Sequence, residues 1–119
     1  MHEFLSDFRQ TLNHVCATFL QVPPQTSYPY ITLEPNLVLK GLPWGPTMVT
    51  LNVKIWSRYA GTHEIVMFSR RVEQIILTYV PKTLKVSLKI VKSALELLND
   101  GQTRVHTFRL KVRIAGDSQ

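Results

Sequence analysis

The middle of the chain, residues 48–77, changes its hydrophobic period once, and this change limits the folds that the chain can adopt. Apolar and polar residues first alternate, as in a strand with one buried face, and the apolar positions are Val49, Leu51, Val53 and Ile55. After Gly61-Thr62, apolar residues recur at helical spacing: Ile65, Phe68, Val72, Ile75, Ile76 and Tyr79. The segment therefore predicts a strand, a tight corner and an amphipathic helix that folds back on a sheet.

The N-terminal segment predicts another amphipathic helix, from about Glu3 to Leu20. Its apolar residues recur on one stripe: Phe4, Phe8, Leu12, Val15 and Phe19. Val22-Pro23-Pro24 should end the helix, because proline cannot continue the helical hydrogen-bond ladder. We place the single cysteine, Cys16, on the buried side of this helix as a structural thiol.

Further strands are predicted on both sides of this middle segment. Tyr28–Leu33 has the composition of a short strand, and Leu84–Ile90 alternates clearly. The alternation slips near Val91-Lys92, which indicates a bulge or a break between two strands. Asn99-Asp100-Gly101 predicts a hairpin turn before a last strand over Thr103–Ile114, since these residues accept positive φ angles.

The expected order is helix, strand, arm, strand, helix and three strands, and the fold class is α+β. Hairpin-connected strands favour a mainly antiparallel sheet, and two amphipathic helices need a common apolar face to cover. With 119 residues the chain fits one domain over residues 1–119. This domain would carry a projecting arm at about residues 35–46 and a short polar C-terminal tail after Ile114.

The arm combines turn-forming residues with large apolar ones in the segment PNLVLKGLPWGP. If its apolar side chains pack on their own sheet, the arm is a lid. If they are exposed, they are anchors for a protein partner. Our candidate protein-contact residues are those of the arm and two arginines of the second helix: Leu37, Leu39, Leu42, Trp44, Arg70 and Arg71.

The charge is uneven, with a net value of +6 and ten of fourteen Lys and Arg residues in positions 61–119. Alternation in the last strands predicts a basic face that consists of Lys85, Lys89, Arg109, Lys111 and Arg113. Such a face attracts phosphates, or it is a solvated face that discourages edge pairing. Single-strand binders interleave aromatic residues with such charges, and this pattern is missing here. We therefore expect at most transient, nonspecific contact with DNA.

Catalytic and metal-binding patterns are not found in the sequence. His2-Glu3 and His63-Glu64 begin like metalloprotease motifs, but neither has a second histidine at the required spacing. Five glycines form no phosphate-binding loop, and the acids are sparse. No apolar run approaches the length that crosses a bilayer. We expect neither an enzyme nor a bound cofactor, metal or membrane.

Three short motifs, in this order and spacing, resemble those of the tail-completion (tail-terminator) proteins of long-tailed bacteriophages and gene transfer agents. The first is Tyr28-Pro29-Tyr30-Ile31-Thr32-Leu33. The second is Val53-Lys54-Ile55-Trp56-Ser57, which leads into Gly61 and an amphipathic helix. The third is the closing pair of strands, with Asp100-Gly101 and Thr103-Arg104 before Phe108-Arg109-Leu110.

This resemblance implies a structural α+β subunit without an active site. Subunits would form a homo-oligomeric ring, expected to be hexameric, on the last ring of the tail tube. The ring would stop growth of the tube protein and offer a surface to the head–tail connector or neck protein. It would be assembled in the host cytoplasm and reside in the tail or neck of the virion. The alternatives are a head–tail neck or closure protein of the same general fold and a basic nucleic-acid-binding domain.

Overall fold

The structure is a computed structural model, and it describes residues 2–38, 47–80 and 86–114. Its elements in chain order are α1 (His2–Leu12), β1 (Thr18–Phe19), β2 (Tyr30–Val38), β3 (Thr47–Ser57), α2 (His63–Thr78), β4 (Val86–Leu97) and β5 (Arg104–Ile114). The five strands form one sheet in the order β1-β2-β3-β5-β4. Only the β1–β2 pair is parallel among these strands. The predicted α+β fold with a mainly antiparallel sheet is confirmed.

Both helices pack on one side of the sheet, which we call the inner face. The predicted period change is confirmed, because the alternating apolar residues of β3 are buried there: Val49, Leu51, Val53 and Ile55. Helix α2 adds Ile65, Val72 and Ile76 to the same core, and α1 adds Phe4, Phe8 and Leu12. The last strand supplies the rest of this face with Phe108, Leu110, Val112 and Ile114.

The corner between β3 and α2 is held by the end of the strand. The Ser57 hydroxyl donates to Glu64 Oε1 at 2.6 Å and accepts from the Tyr59 amide at 3.2 Å. Gly61 has a φ angle of +89°, a value that favours glycine. The carboxylate of Glu64 lies in the first turn of α2, where the helix dipole favours negative charge.

The first helix is shorter than predicted, because it ends at Leu12 and not near Leu20. After Leu12, two hydrogen bonds between side chains and the backbone hold the chain in a turn. The Thr18 amide donates to Asn13 Oδ1 at 2.8 Å, and Arg9 Nε donates to the Thr18 carbonyl at 2.9 Å. Asparagine competes with helical backbone in this way, and so the prediction of a continuous helix was wrong.

The residues after α1 form a short strand that the sequence did not predict. Strand β1 pairs in parallel with β2, and the Ile31 amide donates to the Ala17 carbonyl at 2.8 Å. Cys16 therefore lies in the turn that precedes β1 and not on a helix. Its thiol is half-buried, less enclosed than we predicted.

Strand β2 runs further than predicted, through Pro35 to Val38. The Ile31 amide points to the side of the strand where β1 lies, and amide directions alternate along a strand. The nitrogen of Pro35 thus faces the same edge beyond the end of β1, where no sheet bond is lost. The first four residues assigned to the arm therefore belong to the sheet. Residues 39–46, with Leu39, Leu42 and Trp44, lie outside the described residues.

The irregularity near Val91 is a bulge within one strand, and not a break between two. Lys89 is opposite Lys111 and Ile90 is opposite Leu110, but the next pair is Lys92 with Arg109. The described residues after α2 therefore form two strands, joined by the predicted hairpin turn. Gly101 in this turn has a φ angle of +72°.

Candidate interaction surfaces

The outer face of the sheet, opposite the helices, carries the predicted cluster of basic residues. We call the following set the basic sheet face: Lys89, Lys92, Arg109, Lys111 and Arg113. All five side chains are exposed. Four of them were predicted, whereas Lys85 lies outside the described residues. Lys92 was missed because simple alternation directs it inward, and only the bulge turns it outward.

The strand register places like charges side by side on the basic sheet face. Lys89 is the cross-strand neighbour of Lys111, and Lys92 is the neighbour of Arg109. Directly opposed Cβ atoms in antiparallel strands are about 5 Å apart. Two salt bridges occur within the described residues, Lys54 with Glu34 at 3.3 Å and Arg58 with Asp100 at 3.5 Å. Neither involves the basic sheet face.

A shallow groove of about 220 Å³ crosses this part of the outer face. Two cross-strand neighbours with small side chains, Ala94 and Thr107, lie between longer polar ones. Arg109 Nε donates to Asn52 Oδ1 at 3.4 Å, which holds the guanidinium beside the groove. The remaining lining residues are Lys54, Lys92 and Glu96. Three cations and one carboxylate therefore surround the groove.

A cluster of aromatic rings occupies the other end of the outer face. Tyr30 stacks on Trp56 with 6.0 Å between ring centroids, and Tyr28 lies 5.1 Å from Tyr30. The Arg58 guanidinium lies 4.7 Å from the Tyr28 ring centroid, and Trp56 Nε1 donates to Thr32 Oγ1 at 2.9 Å. We did not predict this cluster, although the alternation of β3 assigns Trp56 to the outer face. The rings pack mainly on one another.

The outer side of α2 presents the two predicted arginines to solvent. Arg70 and Arg71 are exposed, and with Met67, Val66 and His63 they line an open groove of about 590 Å³. Arg71 Nη2 also donates to the His14 carbonyl at 3.4 Å. Their exposure agrees with a contact role, which stays a prediction.

Exposed apolar side chains lie at both ends of the sheet. At the β4–β5 hairpin end are Tyr59, Leu95 and Leu97, which are 56%, 43% and 55% exposed. At the C-terminal end of α2 are Leu77 and Val80, which are 67% and 80% exposed. The two ends are opposite, because α2 begins where β3 meets the hairpin end and finishes before β4 begins. We call these sets the hairpin-end patch and the helix-end patch.

The described residues offer no constellation for catalysis or metal binding. Burial raises the pKa of the Cys16 thiol to about 11, so the thiol stays protonated at neutral pH. His106 contacts Ser93 Oγ through Nε2 at 2.7 Å, and burial lowers its pKa although Glu73 acts in the opposite direction. No group of three or more His, Cys, Asp or Glu residues converges within residues 2–38, 47–80 and 86–114. In the same residues, neither helix is long and apolar enough to cross a membrane.

Comparison with known proteins gives a similarity at the level of the fold. No protein-family profile matches the chain, and no curated protein matches it significantly. Among solved structures, the chain is similar to one from the virion of a native gene transfer agent (GTA) particle, with a TM-score of 0.75. The similarity covers 92% of both chains at 14% sequence identity. The two chains therefore share a fold over almost their whole length.

Proposed function

We propose that this chain is a structural subunit of a phage-like virion that closes the head-proximal end of a tail tube. The subunits form a ring on the last tube ring, stop its growth and join the tail to the head connector. The observation that carries this proposal is the fold shared with a gene transfer agent virion chain over 92% of both chains. The tail-terminator motifs described above support the finer assignment to the end of the tube.

The structural roles of those motifs also favour this proposal. Ser57 fixes the corner into α2 through Glu64, and Trp56 stacks on Tyr30 across the sheet. In this structure the motif residues stabilise the corner and the sheet. A motif likeness made of such residues supports a common scaffold, and the role at the tube end must be tested on the surfaces of the subunit.

A closed ring needs two different surfaces on each subunit, since contacts run head to tail. The hairpin-end patch and the helix-end patch meet this requirement, because both are apolar and they lie at opposite ends of the sheet. We assign the subunit contact to these patches, with Leu97 and Leu77 as their central residues.

The ring assignment is tested by measuring mass and tube capping together. Sedimentation velocity over a range of concentrations, with and without tail tubes, should give a ring for the wild type, and electron micrographs should show tubes capped at one end. Leu97→Asp and Leu77→Asp should each abolish the ring, because they place a charge in an apolar contact. Leu20→Asp is the matched control, because Leu20 is 50% exposed but lies outside both patches.

Two outcomes would contradict the proposal. A wild-type protein that stays monomeric and leaves tubes uncapped would exclude the tail-terminator role. Rings that form equally well in the two patch variants would exclude the assigned contact. Circular dichroism spectra of all variants would verify that each is folded.

The arm contact is tested separately, because its residues lie outside the described residues. Replacing Leu42 and Trp44 by serine should leave the ring mass unchanged and weaken tube capping, if the arm meets the tube. A double variant with normal mass and normal capping would remove the arm from the contact surfaces.

A further inference from the structure

We infer that the basic sheet face is a binding site for the phosphate backbone of duplex DNA, independent of ring formation. The site consists of Lys89, Lys92, Arg109, Lys111 and Arg113, together with the groove that Ala94 and Thr107 form beside them. Sequence-independent electrostatic attraction is the binding mode.

Repulsion within this face is the first observation that supports the inference. Lys89 opposes Lys111 and Lys92 opposes Arg109, and like charges in such pairs destabilise a sheet. The acids on this face within the described residues are Glu34 and Glu96, and Glu34 is already paired with Lys54. A ligand with several negative charges would relieve this repulsion when it binds.

The other side chains of this face favour a polyanion over a protein partner. Most residues between the cations are small or uncharged polar ones, and Met48 lies opposite Arg113; the polar or small residues are Ser87, Thr50, Asn52, Ala94 and Thr107. The cores of protein interfaces are rich in aromatic and other apolar residues and poor in lysine. Phosphate contacts in contrast use Lys and Arg, with Ser, Thr and Asn as further donors.

The geometry favours double-stranded over single-stranded nucleic acid. Single-strand binding depends on exposed rings for base stacking, whereas Tyr28, Tyr30 and Trp56 pack on one another at the other end of the face. Arg109, Lys111 and Arg113 are alternate residues of β5, so their row is about 14 Å long. Over that length duplex DNA presents about eight charges, at one per about 1.7 Å.

The experiment is fluorescence anisotropy with a labelled duplex of mixed sequence, about 25 base pairs long, titrated between about 50 and about 200 mM salt. The test variant is Lys89→Gln/Lys111→Gln, and the matched control is Arg70→Gln/Arg71→Gln on the opposite side of the molecule. Both change the net charge by the same amount and replace exposed residues. Thermal unfolding of each variant verifies that it is folded.

Wild-type protein should bind the duplex, and binding should weaken steeply with salt. The test variant should bind about 10-fold or more weakly at the lowest salt, with a salt slope smaller by about 1.8, since each phosphate contact contributes about 0.9. The control should stay within about twofold of the wild type, because it removes no phosphate contact.

Three results would overturn the inference. The first is equal loss of binding in the test and control variants, which would indicate a general effect of net charge. The second is tighter binding of a single strand of the same length. The third is displacement of the labelled duplex by polyglutamate at a lower concentration of charge than unlabelled duplex requires, which would indicate an acidic protein partner. DNA binding by a protein that caps no tubes would support this inference and contradict the proposed function. Tube capping without DNA binding would support the proposed function and contradict this inference.

Discussion

The two faces of the sheet are built from alternate residues of the same strands, yet they differ completely in environment. On β5, Leu110 is fully buried on the inner face, whereas its neighbours Arg109 and Lys111 are exposed on the outer face. The inner face is covered by α1 and α2. The outer face has no covering element among the described residues, and its charges oppose one another. Around Leu110, stability therefore depends on the inner face, and the basic sheet face is free to bind.

The largest effect is expected when two successive residues of β5 are each replaced by alanine, in two separate variants. Leu110→Ala should lower the free energy of unfolding by about 2–5 kcal/mol, because it removes a buried side chain and leaves a cavity. Lys111→Ala should change it by less than about 0.5 kcal/mol. Urea denaturation of the two variants measures both values. Similar losses in the two variants would show that the faces do not divide stability as we propose.

A smaller effect is expected at the junction of the helices on the inner side. Tyr79 contacts the rings of Phe4 and Phe8, and its hydroxyl donates to Asp7 Oδ2. Tyr79→Phe keeps the ring and removes this bond, at a cost of about 1–2 kcal/mol in the free energy of unfolding. Urea denaturation at neutral pH checks this value. Tyr59→Phe is the matched control, because Tyr59 is exposed and should tolerate the change.

The same tyrosine predicts how stability depends on alkaline pH. Burial, followed by the bond to Asp7, raises the pKa of Tyr79 above its ordinary value of 10. A group whose pKa is higher in the folded state stabilises it below the unfolded pKa and loses this effect as the pH rises. The wild type should therefore lose stability above a pH of about 10, and Tyr79→Phe should lose less. Equal slopes in the two proteins would contradict this.

At the hairpin end, which belongs to neither face, a carboxylate controls stability in acid. Hydrogen bonds from Thr103, and then from the Gln102 amide, lower the pKa of Asp100 from 3.8 to about 2. A lowered folded-state pKa stabilises the protein above the unfolded value, and the effect is lost as the pH falls to about 2. The unfolding temperature of Asp100→Asn should thus fall less in acid than that of the wild type. Acid profiles that fall equally in the two proteins would contradict this.

The smallest expected effect has the opposite sign and concerns the outer face alone. Lys89→Gln/Lys111→Gln removes one pair of opposed charges, so it should raise the free energy of unfolding by about 0.2–0.5 kcal/mol at low salt. At about 1 M salt the gain should vanish, because the charges are screened. Urea denaturation at both salt concentrations measures the difference. A loss of stability at low salt would mean that these lysines support the sheet.

The inner face was largely predictable from the sequence, whereas the outer face was predictable only in part. Alternation alone identifies Val53 and Phe108 as core residues, because side chains in a strand point to two faces in turn. The end of α1 could not be predicted, since Phe19 happens to fit the helical spacing and the bond to Asn13 Oδ1 depends on where β2 holds Thr18. The strand through Pro35 depends on which edge its nitrogen faces, and this is fixed only by the position of β1.

The candidate surfaces were also only partly predictable, because they depend on contacts between distant parts of the sequence. The charges of Arg109 and Lys111 were assigned to one face from their spacing, but their cross-strand neighbours require the register of β4. The aromatic cluster brings together Tyr28, Tyr30 and Trp56 from different parts of the chain, and no local sequence pattern predicts such a contact. Lys92 could be assigned only once the bulge was located to a single residue.

The extra residue in β4 reverses the alternation of inward and outward side chains along this strand. Before Val91 the even-numbered side chains face the helices, and from Lys92 onward the odd-numbered ones do. Regular pairing of the whole strand, without the bulge, would exchange the faces of its second half, sending Lys92 inward and Leu95 outward. A change that removes no functional group would thus alter the basic sheet face and the hairpin-end patch together. In related chains, the presence of a bulge in this strand therefore carries as much information as the identity of its residues.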